Sequence, residues 1–124
     1  MSFRILLPVF LLSLSLQSCF DDKRDQLYPT PSGGCDTTNV QYSAFVKQIV
    51  STNCSGCHSA TSKAAGGNIA LDTHADLKVM ASNGKLVPAI NHTGPFPMPQ
   101  GGNKLDDCTI AKISAWVNAG APNN

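Results

Sequence analysis

Residues 54 to 58 read Cys54-Ser55-Gly56-Cys57-His58, two thiols three positions apart followed at once by an imidazole. Each thiol can add across one of the two vinyl groups of a haem, and the adjoining histidine can reach the iron from one face, so the spacing is the attachment signature of a c-type haem. The same Cys-x-x-Cys pair would also suit a thioredoxin-like dithiol or half of a zinc site. A tetrahedral zinc site would take Cys35, Cys54, Cys57 and Cys108, or three of them with His58. The spacing argues against zinc, because compact zinc folds pair two close couples and here one close couple meets two distant single cysteines.

An iron held from one side by His58 needs a second axial ligand if it is to exchange electrons with little movement of atoms. Met98, Met80, His74 and His92 are the candidates. Met98 stands about forty residues beyond His58 between Pro97 and Pro99, whose stiff backbone can hold a thioether in place without a helix. Met80 shares a helical face with Leu77 and reads as core filler. His92 lies in the same loop as Met98 and could replace it, giving bis-histidine ligation at a lower potential. His74 reads as a solvated residue in the first turn of a helix.

The N-terminal segment carries a different signal. Residues 1–18 hold one early positive charge, Arg4, and then the apolar run Ile5–Leu16, short for a membrane-crossing helix and of the length of a secretory signal. The junction Leu16-Gln17-Ser18-Cys19 resembles a bacterial lipobox, in which the cysteine is lipidated and becomes the first mature residue. Gln17 departs from the small residue usual there, and an uncleaved anchor or a cut elsewhere remain the alternatives. Every one of these readings exports the domain, which suits covalent haem attachment and permits a disulfide.

Charge and composition narrow the partners. Nine basic residues face eight acidic ones, and loss of residues 1–18 removes Arg4 alone, so the mature chain is close to neutral. That balance argues against a nucleic-acid binder, which would show a basic stripe, and against strong long-range steering of a partner. Haem propionates would tip the balance slightly negative.

The elements that must position the haem motif follow from periodicity. Residues 19–34 are polar and broken by Pro29, Pro31, Gly33 and Gly34, a composition suited to a flexible tether. The folded part, residues 35–124, opens with a helix over Tyr42–Asn53, where Tyr42, Phe45, Val46, Ile49 and Val50 form one apolar stripe. Thr38 with Gln41, or Ser43, can cap it. Residues 59–72, with Gly66 and Gly67, form a loop along the haem edge with Ile69 and Leu71 turned inward. Thr73 followed by Asp76 starts a second helix, buried through Leu77, Met80 and Ala81 and stopped at Asn83-Gly84. Lys85 to Lys104 hold too many prolines and glycines for a long element. Asp106 then caps a last helix with Ile110, Ile113, Trp116 and Val117 on one face, ended by Gly120 and Pro122. Strand-type alternation is absent, so the fold class is all-α, with about three helices and long loops around one covalent haem.

In this order the elements resemble the class I cytochrome c fold. The loop Met98-Pro99-Gln100-Gly101-Gly102, then Lys104-Leu105, and the ending Trp116-Val117-Asn118-Ala119-Gly120-Ala121-Pro122 resemble more narrowly the small exported bacterial cytochrome c-like domains with a Met-Pro-x-Gly-Gly loop. The resemblance spans about residues 35–124. It implies that Cys54 and Cys57 are the thioether links, His58 the proximal ligand and Met98 the distal ligand. It is silent on Cys35 and Cys108, which many relatives lack. In such a fold the terminal helices pack across each other, so a Cys35–Cys108 disulfide is the favoured reading of that pair, closing a long loop. Trp116 reads as a helix-crossing core aromatic before it reads as a tunnelling residue or propionate donor. Lys63, Lys85 and Lys104 read as solvated before they read as a docking ring.

The function this implies is one-electron transfer by one haem c between a donor and an acceptor redox protein. The carrier is an exported bacterial lipoprotein, membrane-anchored through Cys19 and facing the periplasm or cell surface, monomeric, not an enzyme, and without nucleic-acid partners. Two alternatives stand beside it. One is an open or labile distal site that binds peroxide, nitric oxide or carbon monoxide as a sensor or peroxidase-like enzyme, against which the chain offers no placeable distal acid/base pair. The other is a haem module of a larger oxidoreductase complex.

Overall fold

The computed structural model describes residues 35–124. The expected signal segment, residues 1–18, the expected lipidation site Cys19 and the expected tether, residues 19–34, lie outside the described residues. The described part is the compact unit Cys35–Asn124, helical and without a strand among the described residues. The all-α expectation therefore holds.

The first helix is entered through a π-helical turn, Tyr42–Val46, and continues as α1, Lys47–Asn53. In that turn the Gln41 carbonyl accepts from both Phe45 N at 3.2 Å and Val46 N at 3.3 Å, the shared bonding of a wide turn. Tyr42, Val46 and Val50, four residues apart, are all buried, while Phe45 and Ile49 lie half-buried beside them. The expected cap is not used. Thr38 spends its amide and hydroxyl on the Asp36 carboxylate in a local turn. The open N–H groups of the helix start go instead to Asn124, whose side-chain oxygen accepts from Tyr42 N at 2.8 Å and whose main-chain oxygen accepts from Ser43 N at 2.9 Å. The capping partner comes from 82 residues away, beyond the reach of any local pattern.

A single turn, α2, Ser55–His58, follows Asn53 directly. The helix α3, His74–Ser82, starts where the sequence places it: the Thr73 hydroxyl oxygen accepts from Asp76 N at 3.2 Å and donates back to its carboxylate at 2.6 Å. Leu77 and Ala81 are its buried residues, and Gly84, at φ 73°, ends it. The proline-rich stretch opens with an unforeseen short helix, α4, Leu86–Ile90. Pro88 is tolerated there because it sits in the first turn, where a main-chain N–H would have no helical partner.

The last helix, α5, Asp107–Asn118, is capped by Asp106, which accepts from Thr109 N at 2.9 Å. Its end turns through Gly120 at φ 88°, and the Trp116 carbonyl accepts from Ala121 N at 3.0 Å. Three expected helices are thus present, with two short ones between them.

The core has two parts. Tyr42, Val46, Val50, Leu71, Leu77, Ala81, Trp116 and Ala121 form one cluster. Ile90, Ile110 and Ile113 form a smaller one, and Phe45, Leu86 and Val117 pack against both. Trp116, 1% exposed, donates its indole N–H to the Pro122 carbonyl at 2.9 Å. That satisfies its one polar atom inside the protein, so it is the core aromatic of the expectation. His74 departs from expectation. Rather than standing in solvent, it meets the Tyr42 ring edge-on at 4.8 Å between centroids, and its Nε2 bonds the Ala121 carbonyl at 2.9 Å.

Cys35 and Cys108 are joined as a disulfide, with Cα atoms 5.4 Å apart. It ties the start of the described chain to the first turn of α5 across a separation of 73 residues.

Candidate functional site

The sequence Cys54–His58 is a single turn of helix pinned to the end of α1. Cys54 N donates to the Val50 carbonyl at 2.9 Å, and the Cys54 carbonyl then accepts from Cys57 N at 3.1 Å and His58 N at 2.9 Å. Residues three apart on such a turn project to the same side, so the two thiols share a face. Both are free. Cys54 packs against the larger core cluster, and burial pushes its thiol pKa up. Cys57 is exposed. One thiol thus lies at the edge of the core and one at the surface.

His58 is the buried polar residue of the described chain, 9% exposed. Its Nδ1 lies 3.0 Å from the Ile69 carbonyl oxygen. A carbonyl only accepts, so Nδ1 carries the proton and a neutral ring keeps its Nε2 lone pair for another partner. This is the arrangement that fixes tautomer and ring direction in metal-binding histidines.

The loop over residues 59–72 is built to deliver that carbonyl. Its far end is tied back by Leu71 N to the His58 carbonyl at 2.7 Å, and by the Asp72 carboxylate, which accepts from Ala60 N. Between these ties Gly66 presses directly on the imidazole: a Cβ there would stand 2.5 Å from His58 Nδ1 and 2.6 Å from the Cys57 carbonyl oxygen. Sequence reasoning put Gly66 in the loop and did not see that its missing side chain makes room for the histidine.

Met98 is half-buried, in the segment that returns from α4. Met98 N donates to the Ala89 carbonyl at 2.9 Å, and its own carbonyl accepts from His92 Nε2 at 3.0 Å. The Met98–Pro99 peptide is cis. Among the described residues the hydrogen bonds of this segment run to α4 or within itself, and none joins it to the Cys54–His58 turn. Met98 belongs to neither core cluster. Met80 packs against the larger one, as core filler does.

The donor set can be tested against a bound group. With Cys35 and Cys108 committed to each other, the four-cysteine zinc arrangement loses two ligands. No group of three or more His, Cys, Asp or Glu residues that could hold a metal ion occurs among the described residues. Two free thiols three residues apart, beside an imidazole whose Nδ1 is already spent, have the chemistry to hold a porphyrin through two thioethers and an imidazole nitrogen. A small cavity against α1, lined by Tyr42, Val50, Ser55, Leu71 and Asp72 among others, touches neither His58 nor Met98.

Comparison with protein-family models, with curated proteins and with solved structures found no match for this chain.

Proposed function

We propose that this protein is an exported, lipid-anchored cytochrome c domain of the class I type that carries one electron at a time between redox proteins. The observation that carries the reading is the Cys54–His58 turn, with two free thiols three residues apart and an imidazole oriented by the Ile69 carbonyl. A bound haem c would supply an iron that cycles between ferric and ferrous states.

The chain's own residues do the rest. Cys54 and Cys57 would hold a porphyrin through thioethers, His58 Nε2 would ligate its iron, and Met98 would offer a thioether as second ligand, a choice that raises the potential over bis-histidine ligation. A filled distal side makes the protein a carrier and not an enzyme. Cys19 bears the lipid, and residues 19–34 let the domain swing as a monomer between donor and acceptor through small transient contacts.

The test is the full chain matured in a host that attaches haem. Its mass should exceed that of the acylated polypeptide by one haem, and the oxidised spectrum should show the far-red sulfur-to-iron band of methionine ligation. Met98→Ala should keep the haem, lose that band and lower the potential. A colourless protein with the mass of bare acylated polypeptide would refute the function.

A further inference from the structure

Met98 is gripped on both sides of its main chain, and the two grips come from different sources. Ala89, in the last turn of α4, accepts its N–H at 2.9 Å. His92, six residues upstream, meets its carbonyl with Nε2 at 3.0 Å. Because the carbonyl can only accept, Nε2 is the protonated nitrogen.

His92 reaches this position at φ 57°, in the left-handed region that a residue with a side chain enters at a cost. Such a conformation persists only where its surroundings determine it. Here they do. The Pro88 carbonyl accepts from both Thr93 N at 3.0 Å and Gly94 N at 3.1 Å, folding the chain back on α4 immediately after His92. Gly94 lies so close that a Cβ would stand 3.2 Å from Pro88 Cβ. A strained histidine, held by independent contacts and spending its ring on the carbonyl of one particular residue, has the features of a positioning device.

We propose that His92 is a positioning residue for Met98: its Nε2–H fixes the direction of the Met98 main chain and so the reach of the thioether. This rests on the reading of Met98 as the distal ligand. It also assigns His92 Nε2 away from the iron, since coordination through that nitrogen needs the lone pair that its proton to Met98 occupies. The histidine and the methionine of this loop are therefore partners and not rivals.

The experiment compares the full haem-loaded chain with His92→Gly, His92→Asn and His92→Gln. Glycine and asparagine both accept a left-handed backbone, and neither reaches the Met98 carbonyl. Glutamine carries an amide donor about as far as Nε2. The readouts are the far-red sulfur-to-iron band and the affinity of the ferric protein for added imidazole, which competes with the thioether.

His92→Gly and His92→Asn should retain the haem and bind imidazole about fivefold more tightly, the fold-change equivalent to one lost hydrogen bond. His92→Gln should return the affinity toward that of the unaltered chain, with the urea midpoint of all four proteins recorded alongside. Equal imidazole affinity in all four overturns the proposal and leaves the electron carrier standing. So does an unaltered chain that lacks the sulfur band and becomes high-spin in His92→Gly, because His92 is then itself the ligand. Haem-free protein overturns both readings together.

Discussion

Replacing Gly66 by alanine puts a methyl group where the structure has no room for one. The added Cβ would lie 2.5 Å from His58 Nδ1, 2.7 Å from His58 Cε1 and 2.6 Å from the Cys57 carbonyl oxygen. Carbon contacts settle near 3.5 to 4.0 Å, so about 1 Å of clearance must be found. A rotation of the imidazole cannot supply it alone, since one of the three atoms is main chain in α2. Either the loop over residues 59–72 retreats or the histidine ring is driven off its bond to Ile69. Overpacking of this kind costs about 1–3 kcal/mol, and loss of the Nδ1 hydrogen bond adds about 1 kcal/mol. The sum is about 2–4 kcal/mol, which lowers the urea midpoint of the protein by roughly 1.5–3 M with little change in slope. A haem-loaded sample should also show a weakened proximal bond as a shift toward a high-spin spectrum. Two neighbours calibrate the result. Gly67, at φ 65° with nothing within 4 Å of a Cβ, should cost only the left-handed penalty of about 1–2 kcal/mol on conversion to alanine. Gly56, in α2 with equally open space, should be neutral or gain up to about 1 kcal/mol. If Gly66→Ala unfolds at the same midpoint as the unaltered protein, the close packing of this loop on His58 is wrong.

Reduction of the Cys35–Cys108 disulfide, or the double change Cys35→Ser and Cys108→Ser, should cost about 4 kcal/mol, because the bridge closes a loop across 73 residues; denaturation with and without reductant measures it. Asn124→Ala should cost about 1 kcal/mol by removing the side-chain oxygen that accepts from Tyr42 N, read as a lowered thermal midpoint. The Asp106 carboxyl is held below its ordinary pKa of 3.8 by hydrogen bonds from Thr109, side chain first and then amide. A depressed folded-state value contributes stability that is present above the unfolded pKa and lost as pH falls through the folded one. Stability should therefore decline below about pH 4, and Asp106→Asn should flatten that decline in urea midpoints measured against pH.

The helices were legible because their signals are local. Thr73 and Asp76 lie three residues apart, as do Asp106 and Thr109, and each pair closes a helix start without help from elsewhere. The stripe from Tyr42 to Val50 needs only the helical repeat to gather its apolar residues on one side. Even the short helix α4 follows this rule in retrospect, since Pro88 blocks a helix interior and not a first turn. The capping of the first helix by Asn124 was not legible, because its partners are 82 residues apart.

By itself the sequence determined the helical class, the elements expected over the folded part and the chemistry available at Cys54, Cys57 and His58, whose adjacency along the chain is enough to put them on one turn. Only the tertiary structure decided what orients them. His58 is set by the Ile69 carbonyl and by the absent side chain of Gly66. His92 and Ala89 hold the main chain of Met98, and the Ala121 carbonyl holds His74 edge-on against the Tyr42 and Trp116 rings. In each case a decisive partner is a main-chain group or an empty space. Every residue carries a main-chain carbonyl, so a sequence does not say which one will meet a given imidazole until the chain has folded and brought it there.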